Sequence, residues 1–126
     1  MADIPDDLKY TEDHEWIEIK DGRARYGITN YAQEELGDIV YVELPQVGEE
    51  VKKGDMLGVI ESVKTVSDLY APLSGTIKDV NDELEGAPEL LNDDPYEDGW
   101  IVVFEIADGD ELDSLLDPKE YEDVAE

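Results

Sequence analysis

Cysteine is absent from the 126 residues of this chain, which removes disulfides, thiol nucleophiles and thiolate metal sites from consideration. Cations are scarce: 9 Lys and Arg stand against 36 Asp and Glu, a formal charge of -27. A surface of that sign has neither a phosphate backbone nor an anionic membrane as its main partner. Long apolar runs are missing too, and the opening MADIPDDLKY lacks the basic and apolar segments of a signal peptide. The expectation is a soluble, cytoplasmic protein.

Several chemistries are short of their residues. The GxGxxG, GxxxxGK[ST] and HExxH patterns do not occur. His14 is the one histidine; it stands near Trp16, no pattern ties it to a particular serine, and it reads as a structural hydrogen-bonder. Asn81-Asp82-Glu83-Leu84-Glu85-Gly86 imitates the opening of a Ca²⁺ loop, yet the twelfth position holds Asn92 where a bidentate acid is needed. Among so many carboxylates, chance pairs are uninformative. The sequence therefore offers no self-sufficient enzyme site.

What is present is a patterned apolar content of 40%, enough for one folded domain rather than a disordered acidic chain. The acids are spread along almost the whole length. Such uniform charge fits adaptation to a salty cytoplasm, where the Debye length is about 3 Å at 1 M salt. Alternation predicts strands at Glu15 to Lys20 and Arg23 to Ile28 around an Asp21-Gly22 turn. A short helix follows, with Thr29 or Asn30 as N-cap and Gly37 as C-cap, read as the only helix before the C-terminus. Further strands are expected at Asp38 to Leu44, up to Ser62, from near Asp68, at Thr76 to Val80 and at Trp100 to Ile106. Residues Asp82 to Gly99 read as a long surface excursion with at most one helical turn. Leu112, Leu115 and Leu116 at helical spacing, broken by Pro118, predict two short helices at about 110–124 packed on the sheet by that leucine face.

Within ESVKTVS, residues 61 to 67, a lysine stands in an apolar stretch. Lys64 lies between two strands, so an exposed hairpin tip is expected. On spacing alone it is either an ordinary solvated lysine or an amine presented for acylation, which would remove its charge.

Three stretches narrow that choice. GITNYAQEELGDIVYVELPQVGEEVKKGD, ESVKTVSDLYAPLSGTI and NDDPYEDGW, in this order between about Leu8 and Tyr121, closely resemble the H protein of the glycine cleavage system. The resemblance implies a mainly β, barrel-sandwich hybrid fold, a flattened barrel shared with lipoyl and biotinyl carriers, as one domain over 1–126. It implies lipoate attached as N6-lipoyllysine at Lys64, and a monomer that catalyses nothing itself. Its partners would be a pyridoxal-phosphate glycine decarboxylase (P protein), an aminomethyltransferase (T protein), dihydrolipoyl dehydrogenase (L protein) and a lipoylating enzyme. Position by position, the acids that shelter the loaded arm map to Asp13, Glu15 and Asp68. Two departures stand out: Thr65-Val66 follow the lysine where many relatives have small residues, and the surface is more acidic. Related readings are a lipoyl domain of a 2-oxoacid dehydrogenase, a biotin carrier and an H-like protein that relays lipoyl groups to other acceptors.

Overall fold

In the computed structural model, which describes residues 4–125, the alternating stretches form two antiparallel sheets. The larger holds, in spatial order, β1 (Lys9–Tyr10), β2 (Glu15–Lys20), β3 (Arg23–Ile28), β9 (Val102–Ile106), β8 (Gly75–Val80) and β5 (Glu50–Val51). The smaller is β4 (Ile39–Glu43), β6 (Met56–Ser62) and β7 (Val66–Tyr70). Their inner faces share one core, in which Ile17, Tyr26, Ile77 and Phe104 of the larger sheet meet Val42, Ile60 and Leu69 of the smaller. This is the flattened, mainly β sandwich that the resemblance implied.

The turn sets the first register. Asp21 and Gly22 have φ of 52° and 78°, the pair of positive values that a type I′ turn requires. Pairing then runs from Lys20↔Arg23 to Glu15↔Ile28, with Ile17 opposite Tyr26 and Trp16 opposite Gly27. Because side chains alternate between faces, Glu15 is carried inward with Ile17. Trp16 turns to the other face, where Leu8, Tyr10 and Tyr121 form a second buried cluster. Gly27 makes room for that indole: a Cβ there would stand 2.6 Å from Trp16 Nε1.

Four helical segments beyond the sheets complete the packing, besides one 3-10 turn. α1 (Asn30–Leu36) starts on Thr29, whose hydroxyl accepts from Ala32 N at 3.2 Å, and ends on Gly37. α2 (Glu83–Gly86) and α3 (Leu90–Asp93) lie in the stretch expected to be a surface excursion. Two expectations need correcting: α1 is not the sole helix before the C-terminus, and the stretch is no surface excursion, since Leu84 and Leu91 are fully buried and Asn92 fastens it to α1. Four-residue helices are too short to show a helical period in sequence. At the C-terminus the first of the two expected short helices is a 3-10 helix (Gly109–Ser114), and the second, α4 (Pro118–Val124), begins with an Asp117–Glu120 capping box and Pro118 in its first turn. The leucines do not share one face's duty: Leu112 and Leu115 pack on the main core, Leu116 on the aromatic cluster. Tyr121, stacked on Tyr10 at 4.6 Å, is the anchor of α4.

Candidate functional site

The smaller sheet ends in a tight turn. β6 and β7 pair antiparallel as far as Glu61↔Val66, so β7 begins two residues earlier than Asp68 and the turn is shorter than the sequence implied. Ser62 builds it. Its backbone N–H donates to Thr65 O at 2.8 Å, and its buried hydroxyl accepts from both Lys64 N and Thr65 N at 3.1 Å. Val63 N donates to Asp38 O at 3.0 Å, tying the turn to the chain just after α1.

Lys64 is exposed at this tip. Among the described residues the ion pairs are Arg25–Glu18 at 3.1 Å and Lys78–Glu105 at 3.8 Å, so no carboxylate holds the Lys64 amine despite the charge of -27. Its side chain lies across Gly37 instead. A Cβ built on Gly37 would stand 3.0 Å from Lys64 Cε and 3.8 Å from Nζ.

One residue before Gly37, Leu36 lines a cleft of about 440 Å³. One wall is α1, through Ala32, Glu35 and Leu36; the other is β7, through Ser67 to Tyr70; Ile28 and Ile60 contribute apolar surface. The far part is lined by Asp13, His14 and Glu15. All three acids expected around an arm, Asp13, Glu15 and Asp68, therefore line one cleft.

They are not equivalent. Asp13 and Asp68 are exposed, and Asp68 accepts from Tyr70 Oη at 3.3 Å. Glu15 is buried. Its Oε1 accepts from Thr11 Oγ1 at 3.1 Å and its Oε2 from Tyr26 Oη at 2.8 Å. Burial pushes its pKa up to about 7, with nearby Asp13 adding to the rise and the two hydroxyl donors opposing it. The Tyr26 phenol is raised well above its ordinary value, by burial first and then by Glu15. His14 has a positive φ of 66° and its Nδ1 lies 2.9 Å from Tyr121 Oη, which also contacts Thr29 Oγ1 at 2.6 Å. Burial lowers the His14 pKa, against the pull of Asp13 and Glu35.

Three residues of the site escaped sequence reasoning. Gly37 reads in the sequence as a helix cap. Tyr26 reads as a strand residue, although its inward parity beside Glu15 follows from the Asp21-Gly22 register. Asn92 opens the stretch NDDPYEDGW and fails as a Ca²⁺ ligand, with no clasp role assigned to it. Its Oδ1 accepts from Ile39 N at 2.9 Å, and its Nδ2 donates to Gly37 O at 2.9 Å and Gln33 Oε1 at 3.0 Å. Nothing local in the sequence signals that long-range clasp. Among the described residues no group of three or more His, Cys, Asp or Glu could hold a metal ion, and no helix is long and apolar enough to cross a membrane.

Comparison with known proteins agrees with this geometry. The family model described as Glycine cleavage H-protein matches residues 8–126. A glycine cleavage system H protein of Oceanobacillus iheyensis is 54% identical over 119 residues, covering 94% of each chain. A probable glycine cleavage system H protein of Haloarcula marismortui is 53% identical over 124 residues, covering 98% of each. The crystal structure of a glycine cleavage system H protein from Mycobacterium marinum superposes with a TM-score of 0.83 at 45% identity, over 94% of this chain and 95% of that one. On the family match over nearly its whole length, together with these likenesses, the chain belongs to the glycine cleavage H-protein family.

Proposed function

We propose that Lys64 is the residue that carries the lipoyl group, and that Asp13, Glu15 and Asp68 hold the cationic end of its cargo. Family membership makes the chain a lipoyl-bearing, non-catalytic component of the glycine cleavage system. It takes the aminomethyl group of glycine from the decarboxylase to the aminomethyltransferase, and then electrons to dihydrolipoyl dehydrogenase. When bound, the lipoyl group supplies the dithiolane sulfurs that accept the aminomethyl group and the electron pair.

The observation that carries the assignment is the placement of Lys64: an exposed amine on a turn held by Ser62, with its stem against Gly37, the residue that follows the cleft-lining Leu36. The cleft suits such an arm. Ile28, Ala32, Leu36 and Ile60 offer apolar surface to an acyl chain, and the acids beyond them offer charge to an ammonium. A covalent tether keeps the cargo at high effective concentration once a partner has docked.

Glu15 has the most specialised part. Each of its oxygens already accepts one hydroxyl, and a carboxylate has further lone pairs for an ammonium. With its pKa at about 7, it carries little charge while the cleft is empty at mildly acid pH, and a cation alongside it favours the ionised form. Asp13 and Asp68, exposed at the rim, supply charge with less desolvation cost.

The assignment is tested by the intact mass of the protein as purified, with peptide mapping around Lys64. One lipoyl increment on Lys64 is the expected result. A chain that a lipoate ligase leaves unmodified, or modifies at another lysine, overturns it.

Two broader readings belong with this one. A cytoplasmic location is supported by the metabolic role of the family. Adaptation to a salty interior is supported by the charge of -27 spread over the chain, since salt screens the self-repulsion of so acidic a surface. The thermal midpoint should then rise between dilute buffer and molar KCl; an unchanged midpoint removes the salt reading and leaves the carrier reading intact.

A further inference from the structure

We infer that Gly37 is the threshold over which the Lys64 arm enters the cleft, so that a side chain at position 37 turns the arm out toward solvent. The inference rests on Lys64 as the attachment point and concerns how this chain steers whatever is joined there.

The contact is one of shape. Lys64 is unpaired by any carboxylate among the described ion pairs, yet its stem lies close enough to Gly37 that a Cβ would stand 3.0 Å from Cε, 3.9 Å from Cδ and 3.8 Å from Nζ. The next residue back, Leu36, already lines the cleft, followed by Glu35 and Ala32 on the same helix. The stem therefore rests where the α1 wall begins. A methyl group at 37 meets a flexible chain, and the flexible chain is what yields. Relief comes from lifting the stem off the wall.

The threshold is also fixed relative to the tip. Gly37 N donates to Gln33 O at 3.0 Å, and Gly37 O accepts from Asn92 Nδ2 at 2.9 Å. The adjoining Asp38 O accepts from Val63 N, one residue before Lys64, at 3.0 Å. Tip and threshold thus move together. The φ of +81° alone calls for glycine as a cap; that role accounts for the backbone but not for the lysine stem laid across it. The two roles have different consequences. A cap acts on stability, whereas a threshold acts on where the arm goes.

The experiment uses the full chain, lipoylated with modification at Lys64 verified by mass, as wild type, Gly37→Ala and Ala32→Leu. The last narrows the cleft further along α1 without disturbing the cap. Each is charged with glycine by the decarboxylase, separated from it, and followed for ammonia release with no acceptor present. In parallel, through-space proton contacts between Lys64 Hε and Gly37 Hα are sought by NMR in the unlipoylated wild type. The expected results are that contact in the wild type and ammonia release several-fold faster in both variants, each still unfolding cooperatively. Absence of the proton contact overturns the inference. So does a folded Gly37→Ala protein that releases ammonia at the wild-type rate, whatever its melting temperature. If Gly37→Ala does not fold, the proton contact and Ala32→Leu decide, and a wild-type rate in Ala32→Leu overturns it. A Lys64 that takes no lipoyl group fails earlier and differently, at the mass measurement, and overturns the attachment itself.

Discussion

The two ends of the cleft are built from opposite materials. At the mouth, Lys64 is exposed, held by no carboxylate among the described residues, and positioned by a serine hydroxyl, backbone groups and a glycine. At the far end, Glu15 is buried, held by two hydroxyl donors and pushed to a pKa of about 7. The difference matches what the proposed function asks of each end. An amine that another enzyme must reach cannot be buried or paired, so its precision comes from the backbone beneath it. A carboxylate that must answer a cation gains from leaving water, because its ionisation then responds strongly to a nearby charge. In a chain of charge -27 most acids are solvated, and burial is what distinguishes Glu15 from them.

The comparison breaks most completely at the mouth. Lys64→Arg keeps the charge and the stem but presents a guanidinium that stays protonated and is not acylated. Complete loss of the lipoyl mass increment is expected, with unchanged circular dichroism. Partial labelling of the variant would mean that another lysine serves.

At the far end the larger effect is on stability as a function of pH. Glu15 has a folded pKa of about 7 against an unfolded value near 4.5. As pH rises between these values the unfolded state ionises first, so stability falls. The shift corresponds to about 3 kcal/mol over that window, to order of magnitude. In Glu15→Gln this decline is absent, and the difference in unfolding free energy between wild type and variant should grow in the variant's favour from pH 4.5 to pH 7. Denaturant melts across that range measure it; parallel curves would show that Glu15 ionises normally. The same variant should release ammonia faster once charged, since the neutral amide holds an ammonium less strongly.

The two ends also differ in how far they could be read from the chain. Asp21-Gly22 and the alternation around it mark β2 and β3 to their observed ends, and Thr29 and Gly37 carry the cap signals of α1. The position of Lys64 followed from the strands beside it. The burial of Glu15 was implicit, because it shares parity with Ile17, but a glutamate at a strand's start among many acids draws no notice. What stayed hidden depends on contacts across the chain. Asn92 lies 55 residues from Gly37, and Tyr121 lies 107 residues from His14. No periodicity reports such pairs. The stretch from Asp82 to Gly99 resembles a surface loop in sequence for a related reason: its two buried leucines, Leu84 and Leu91, sit in separate one-turn helices on either side of Pro88.

Asn92 lets the comparison be sharpened from outside either end. Its carboxamide satisfies Ile39 N and Gly37 O together. Asn92→Ala leaves both without that partner, at a cost of about 2 kcal/mol, read as a lower denaturant midpoint at constant m-value. Asn92→Asp should recover little, because an ionised carboxylate can accept from Ile39 N but cannot donate to Gly37 O. Recovery to wild-type stability would show that the donated bond contributes nothing.

The smallest effect is expected at the turn itself. Ser62→Ala removes the oxygen that accepts from Lys64 N and Thr65 N while sparing the Ser62 N to Thr65 O bond and the β6–β7 pairing. Stability should fall by about 1 kcal/mol. Function should fall by more than that implies, because the loosened backbone is the one that aims Lys64. The initial rate of lipoylation, compared among wild type, Ser62→Ala and Ser62→Thr at a temperature where all three are folded, separates the two. A threonine hydroxyl can accept the same two bonds, so Ser62→Thr should restore the rate that alanine loses. Equal rates in all three would mean that the amine is delivered by the strand pairing alone, and that the precision at the Lys64 tip lies in the β6–β7 ladder rather than in the serine hydroxyl at the end of β6.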